Sequence, residues 1–127
     1  MAIRIINTPA APAPIGPYNQ ATEAGGFIFI SGQVAIDPST GSLQMTTLEE
    51  ETQQVMKNLE AILFSAGSAF SQVVKTTIFL SDMAHFTTVN NIYSQYFEKD
   101  YPARETVAVK TLPKSVNVEI SMIAYKG

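Results

Sequence analysis

Arg104 and Glu119 are the two residues whose types and spacing most directly suggest chemistry. An arginine guanidinium can bind a carboxylate through two parallel hydrogen bonds, and a glutamate can hold a water molecule and accept its proton. Between them, Leu112-Pro113-Lys114 predicts a turn that joins two strands. We therefore expect Arg104 and Glu119 to lie side by side on neighbouring strands, one binding a small carboxylate and the other acting on water.

The same two residues also have a purely structural interpretation. Pro102 restricts its own φ and the residue before it, which stiffens the backbone that presents Arg104. The other arginine, Arg4, lies in an N-terminal segment that we expect to fray. A surface salt bridge for Arg104 and a solvated strand face for Glu119 would produce the same pattern, so the residues alone leave both interpretations open.

The composition indicates one domain with an apolar surface. The 127 residues are 46% hydrophobic and 15% charged, and the charged share lies below the roughly 25% that is typical of soluble domains. We expect a single domain, residues 1–127, that covers part of its surface with copies of itself. The net charge of −3 and the scattered lysines argue against a nucleic-acid partner, because phosphate binding needs a basic patch.

The sequence has no cysteine, and His85 is its one histidine. Disulfides, thiolate catalysis and cysteine metal sites are therefore excluded, and one histidine cannot form a histidine-rich metal site. The first residues do not resemble a secretory leader, and no apolar run approaches the ~18 residues of a membrane span. We expect a soluble cytoplasmic protein with no membrane partner.

Two strands are predicted near the N-terminus, over residues 19–24 and 27–32, joined by a Gly25-Gly26 turn. Residues 27–30 are all apolar, which predicts that this strand is buried on both faces.

A proline-rich stretch, residues 9–14, precedes these strands and favours an extended path. It can be a plain surface lead-in to the sheet or a stiff arm that presents Tyr18. The Tyr18 ring could pack on a neighbour or line a cleft, and the residues alone leave both roles open.

The first helix is predicted to begin at Thr47, where Thr47 and Glu50 match a capping box, and to end at Gly67. Glu49, Glu50 and Glu51 follow the cap. We interpret them as favourable charges at the positive end of the helix dipole and not as a catalytic cluster.

Residues 73–80 predict a strand, and Ser81 or Asp82 then caps a second helix. Its apolar stripe comprises Phe86, Val89, Tyr93, Tyr96 and Phe97. His85 falls in the first turn, where we expect it to face solvent without a catalytic role. Asn90 lies on the polar edge of this helix.

Residues 104–111 and 116–124 predict two further strands. The chain then has six strands and two helices, and two helices can cover only one face of such a sheet. The second face would be apolar and exposed, which predicts association with other copies in a closed ring.

Several short motifs occur in a fixed order: Ile15-Gly16-Pro17-Tyr18, Ser31-Gly32-Gln33, Asp37-Pro38, Thr40-Gly41, Val74-Lys75-Thr76-Thr77, Pro102-Ala103-Arg104, Leu112-Pro113-Lys114 and Val118-Glu119-Ile120. In these motifs the chain resembles the RidA/YjgF family of enamine/imine deaminases, over about residues 14–124.

The resemblance implies an α+β fold of the chorismate-mutase-like type, with a six-stranded, mostly antiparallel sheet and two helices packed on one face. It implies a homotrimer with clefts between subunits and no cofactor or metal. The implied reaction is hydrolysis of reactive 2-imino acids, 2-iminobutanoate and 2-iminopropanoate, to 2-oxo acids and ammonia. These imino acids are released by pyridoxal-phosphate enzymes.

The resemblance also assigns roles to particular residues. Arg104 would bind the substrate carboxylate and Glu119 would activate water, while Gly32 would let the backbone approach the ligand. The implied substrate-binding residues are Tyr18, Ser31, Gly32, Asn90, Arg104 and Thr106.

Position 106 departs from many relatives, which have cysteine there, but imine hydrolysis needs no thiol nucleophile. By alternation, Thr106 lies on the strand face of Arg104 and Glu105 on the other. Two other functions stay open. One is a regulatory protein of the same fold that binds small carboxylates without turnover, and the other is a ribonuclease, although the sequence has no histidine pair.

Overall fold

The computed structural model describes residues 2–127. Over these residues the chain forms six β-strands and two α-helices, which confirms the predicted α+β fold. In chain order they are β1 Arg4–Ile6, β2 Ala21–Ala24, β3 Phe27–Gln33, α1 Leu48–Ser65, β4 Val73–Leu80, α2 Phe86–Ser94, β5 Ala103–Ala108 and β6 Val118–Tyr125.

The strands of the described chain form one sheet in the order β1-β2-β3-β6-β4-β5. β4 and β5 are parallel, and the other neighbouring pairs are antiparallel. β4, α2 and β5 form a crossover unit that leaves β5 at the sheet edge, while β6 pairs with β3 and β4. The prediction that Arg104 and Glu119 lie on neighbouring strands is therefore wrong, because β4 separates them.

Both α-helices pack on the same face of the sheet, as predicted. The largest fully buried side chains of this core include Ile28, Leu59, Ile78, Ile120 and Met122. On the other face Phe27, Phe29 and Tyr125 are 39%, 44% and 47% exposed. The prediction that residues 27–30 are buried on both faces is wrong for the single chain, because α1 and α2 cover only one of them.

The predicted ends of α1 are confirmed. The Thr47 hydroxyl accepts the Glu50 amide at 3.1 Å, and Gly67, with φ +79°, follows the last turn. Glu51 does more than favour the helix dipole. Its buried carboxylate accepts the backbone and side-chain N–H groups of Asn117, each at 2.8 Å, which ties α1 to the segment leading into β6.

The proline-rich arm is held against the sheet by Gln20, which is buried. Its Oε1 accepts the Thr8 amide at 2.7 Å, and its Nε2 donates to the carbonyls of Thr8, Ala11 and Pro12 at 3.0, 3.2 and 2.9 Å. One side chain thus satisfies backbone groups of a segment that belongs to no strand. The arm has a fixed course before it reaches Tyr18.

Arg4 does not lie in a frayed segment. Its guanidinium pairs with Glu23 of β2 at 2.5 Å and donates to the Ala66 carbonyl, at the end of α1, at 3.2 Å. The fraying prediction is wrong because β1 pairs with β2 along its whole length.

A 3-10 helix, Met83–His85, precedes α2, and Asp82 caps it by accepting the Ala84 amide at 2.8 Å. His85 closes this turn and is half-buried, with an enclosed Nδ1 that has no hydrogen-bond partner among the described residues. The prediction that His85 faces solvent is therefore wrong. Neither α1 nor any other helix within residues 2–127 is long and apolar enough to cross a membrane.

The loop between β5 and β6 is longer than predicted. β5 ends at Ala108 and β6 begins at Val118, and a 3-10 turn, Pro113–Ser115, lies between them. Lys114 and Ser115 have φ values of +58° and +56°. Consecutive left-handed residues other than glycine are strained, so tertiary contacts must hold this loop in place.

Candidate functional site

Arg104 projects from β5 toward α2, on the face that also carries its register partner Thr76. Its Nη1 donates to Asn90 Oδ1 at 2.7 Å. Its Cζ lies 5.6 Å from the ring centroid of Phe86 and 5.2 Å from that of Tyr93. No carboxylate within residues 2–127 lies within ion-pair distance of the guanidinium. The group is therefore oriented by an amide and two rings, with further N–H donors available to an anion.

Tyr93 packs between Arg104 and the sheet. Its hydroxyl donates to Thr76 Oγ1 at 2.9 Å, and both residues are buried. Burial raises the pKa of Tyr93, although the Thr76 hydrogen bond and the Arg104 charge act in the opposite direction. The Tyr93 ring that stacks with Arg104 is thus a neutral phenol whose hydroxyl is held by Thr76.

Glu119 projects from β6 to the opposite, open face of the sheet, on the side of its register partner Phe79. Its carboxylate has no hydrogen-bond or ion-pair partner among residues 2–127. Burial raises the pKa of Glu119. A carboxylate that retains protons more readily than usual, and that lines a cavity, suits a proton acceptor and donor.

Gly32 lies directly beneath the Glu119 side chain. The β3–β6 register shifts between Ile30 and Gln33, so that Ser31 and Gly32 form a bulge. A Cβ at Gly32 would overlap Glu119 Oε2 and would lie 2.8 Å from Cδ and 3.0 Å from Cγ. The carboxyl group thus occupies the volume that a side chain at position 32 would fill.

Tyr18, near the bulge, and Ser31, within it, have different contacts. Tyr18 is 51% exposed, and its hydroxyl oxygen accepts the Ile15 amide at 3.4 Å. The Ser31 hydroxyl donates to the Asn19 carbonyl at 2.7 Å. Tyr18 therefore lines the cavity next to Gly32 and Glu119, whereas Ser31 holds the arm that carries Tyr18.

Thr106 shares its face with Arg104, and Glu105 faces the other way, as alternation predicts. Thr106 is in register with Ile78 on the helix side, and its enclosed Oγ1 has no partner among the described residues. Glu105 pairs with Lys75 at 3.3 Å on the open side. Thr106 is thus close to Arg104 along β5, but its hydroxyl is turned into the protein.

Two cavities are lined by candidate residues, although Ser31 and Thr106 line neither of them. One, of about 480 Å³, is lined by Asn90, Tyr93, Ser94, Tyr101, Pro102 and Arg104, and we call it the Arg104 half-site. The other, of about 300 Å³, includes Tyr18, Gly32, Lys114 and Glu119 in its lining, and we call it the Glu119 half-site. Over the described residues the two linings have no member in common. One chain therefore holds two separate halves, and the prediction that Arg104 and Glu119 lie side by side is wrong within it.

A larger cavity, of about 780 Å³, lies between the C-terminal ends of α1 and α2 and contains none of the candidate residues. It is lined by aromatic side chains such as Phe64 and Phe97 and by scattered charges of both signs. Residues 2–127 hold no cluster of three histidine, cysteine or acidic side chains that could bind a metal ion.

Phe86 and Tyr93 contact Arg104 but were not predicted as its partners, although the sequence carries a signal for them. Asn90 and Tyr93 follow Phe86 by four and seven residues, a spacing that places all three on one helix face. The interpretation of Asn90 as part of a polar edge overlooked this spacing. Lys114 could not have been found in this way, because its place depends on the course of a loop.

The chain is similar to known proteins along its whole length. A family model described as Endoribonuclease L-PSP matches residues 8–126. The 2-iminobutanoate/2-iminopropanoate deaminase of Homo sapiens is 47% identical over 124 residues, which cover 98% of this chain and 90% of that protein. The solved structure of the Rid-family protein YyfA from Yersinia pestis has a TM-score of 0.95 at 45% identity, covering 98% of this chain and 99% of that one. That of E. coli TdcF with bound serine has a TM-score of 0.93 at 36% identity, again covering 98% and 99%.

Proposed function

Because the chain belongs to the RidA/YjgF family, whose matching model is described as Endoribonuclease L-PSP, we propose that it hydrolyses 2-imino acids to 2-oxo acids and ammonia. The substrates would be 2-iminobutanoate and 2-iminopropanoate, the compounds in the name of the human relative. They would be reactive intermediates released by pyridoxal-phosphate enzymes.

The observation that carries this proposal is the state of Arg104. Its guanidinium is stacked on two rings and held by Asn90, yet it has no acidic partner within residues 2–127. An arginine oriented in this way without a counter-ion suits a ligand that brings its own carboxylate. Every 2-imino acid has that carboxylate next to the carbon that must react.

The chemistry needs one water molecule and one proton carrier. Glu119 would accept a proton from water as the water oxygen bonds to the imine carbon. Returning that proton to nitrogen would give a tetrahedral intermediate with one hydroxyl and one amino group. Glu119 would then carry the hydroxyl proton to the amino nitrogen as the C–N bond breaks and the C=O bond forms, which releases ammonia and leaves the 2-oxo acid. The raised pKa of Glu119 suits this exchange, because the group must both take and return a proton.

The two half-sites would meet between subunits. The open sheet face exposes Phe27, Phe29 and Tyr125, and the Glu119 half-site lies on that same face. A second copy covering it would bury these rings and could bring its own Arg104 half-site to Glu119. We infer a homotrimer, in which three such clefts close a ring.

A binding role without turnover is the second candidate. It is favoured by the solved E. coli relative that holds serine, a small molecule with a carboxylate. RNA cleavage, which the family description names, has less support. The chain has a net charge of −3 and one histidine, whereas RNA binding favours a basic surface.

The test is release of 2-oxobutanoate in a coupled threonine dehydratase assay, with semicarbazide present to trap imine that is not hydrolysed. Wild-type protein should accelerate the release, and Arg104→Ala should not. Arg4→Ala is the matched control, because it removes the chain's other arginine from an ion pair with Glu23, and neither residue lines either half-site. No acceleration by wild-type protein, together with measurable binding of serine or 2-oxobutanoate, would favour the binding role instead.

A further inference from the structure

We propose that Gly32 is a positioning residue for Glu119, and that the absent side chain at position 32 defines where the carboxyl group of Glu119 lies. The inference rests on the proposed function, in which Glu119 handles the proton. It differs from the role that the family resemblance implies for Gly32, namely a close approach of backbone to ligand. In this structure the group that approaches Gly32 is Glu119 itself.

The bulge that carries Gly32 is fixed independently of Glu119. The amide of Ser31 donates to the Gln20 carbonyl at 2.9 Å, and the Ser31 hydroxyl donates to the Asn19 carbonyl at 2.7 Å. Gln20 is in turn buried and bonded to the arm. The surface on which Glu119 rests is therefore rigid.

Contact with that surface is what orients the carboxyl group. Among residues 2–127 the carboxylate has no hydrogen-bond or ion-pair partner, so no donor determines its direction. The other titratable groups that line its cavity are Tyr18 and Lys114, and Lys75 and Glu105 pair with each other farther along the same sheet face. Steric contact rather than hydrogen bonding thus positions the Glu119 carboxyl group, and the missing side chain of Gly32 leaves the space that this group occupies.

A side chain at position 32 would affect Glu119 and leave the fold intact. Gly32 does not have the positive φ that several other glycines of the chain have, so alanine can adopt its backbone conformation. The three atoms nearest to such a Cβ belong to the Glu119 side chain, which can rotate away. Gly32→Ala should therefore fold normally with a displaced carboxyl group.

A double-mutant cycle tests the assignment. We expect Gly32→Ala to lower kcat by about 10- to 100-fold, because a displaced carboxyl group would lose part of the rate acceleration that a general base provides. KM should change less than about threefold. In a Glu119→Gln background the same substitution should change kcat less than about twofold, because its target is already inactive. Equal losses in both backgrounds, or a rise in KM alone, would overturn the proposal and return Gly32 to a ligand-contact role.

A carboxyl titration followed by ¹³C NMR tests the same point without substrate. The Glu119 resonance should titrate at a different pH in Gly32→Ala than in wild type, because the carboxyl group leaves its partly buried place. Gly25→Ala is the control, because its added Cβ has no atom within 4 Å and its φ of +59° strains the hairpin backbone, so it shows whether local strain alone moves the titration. An unchanged Glu119 titration would refute the inference even if the protein is an active deaminase. A changed titration in a protein without deaminase activity would uphold the positioning role and refute the function.

Discussion

Mixing two inactive variants should restore activity if each cleft takes its halves from different subunits. Arg104→Ala removes the proposed carboxylate-binding group, and Glu119→Gln removes the proposed proton carrier. Each variant alone should fall to less than about one hundredth of wild-type turnover, since each lost group contributes at least that factor. Because the two residues lie on opposite faces of one sheet with β4 between them, neither chain can repair its own site.

The size of the recovery follows from counting subunits. In a ring formed at random from equal amounts of the two variants, a cleft is intact when its Arg104 comes from a Glu119→Gln chain and its Glu119 from an Arg104→Ala chain. Each condition holds for half of the subunits, so about one quarter of the clefts are intact, whatever the number of subunits in the closed ring. An unsorted mixture should therefore reach about one quarter of wild-type turnover. Removing the roughly one quarter of trimers that contain a single variant leaves mixed trimers with about one intact cleft in three, so the purified mixed rings should reach about one third of wild-type turnover.

The assay needs subunits that exchange. The two variants, with different affinity tags, are denatured together, refolded and purified through both tags in turn, which leaves only mixed rings, and turnover is measured with 2-iminobutanoate. Wild-type protein taken through the same steps sets the full scale, and separately refolded variants set the background. Turnover equal to the mean of the separate variants, in rings shown to contain both tags, would refute the shared cleft.

Three further predictions follow from individual contacts. Glu119→Gln should raise Tm at about pH 8 and have no effect near pH 4. Burial raises the pKa of Glu119 in the folded protein, so the ionised carboxylate destabilises the fold at high pH, whereas at low pH the carboxyl group is protonated and this cost disappears. A lower Tm for Glu119→Gln at about pH 8 in thermal scans would contradict the burial argument. Gln20→Leu should destabilise the arm by roughly 2–4 kcal/mol, since it leaves several buried backbone groups unpaired, and hydrogen exchange at the Thr8 amide should speed up while that of β4 does not. Phe29→Asp should convert the assembly into monomers in sedimentation experiments, whereas Phe64→Asp, at an 81% exposed position on the helix side, should not; a ring that survives Phe29→Asp would place the interface elsewhere.

Local signals in the sequence predicted the elements well. The cap at Thr47 and the stop at Gly67 depend on a few neighbouring residues, and both lie where they were expected. The faces of Thr106 and Glu105 followed from alternation within one strand. Such features are decided by short-range geometry, which a sequence displays directly.

Long-range pairing was the part that the sequence did not display. The place of β6 between β3 and β4 depends on residues more than thirty positions apart, and it moved Glu119 away from Arg104. The fraying predicted for Arg4 was wrong, and the contact of Glu51 with the segment leading into β6 was missed, for the same reason: their partners Ala66 and Asn117 are distant in the chain. Charge and local pattern show that a residue is polar, but only the fold shows what it contacts.

The position of β5 at the edge of the sheet makes Arg104 part of that edge's protection against aggregation. An edge strand presents unpaired backbone groups to which another chain can add, and short length, charged side chains and a neighbouring proline all discourage such aggregation. β5 has six residues, follows Pro102 and carries Arg104 and Glu105. Replacing Arg104 with an apolar residue would therefore weaken protection against intermolecular strand addition. Under the proposed function, the residue that binds substrate would also discourage this edge from templating aggregates.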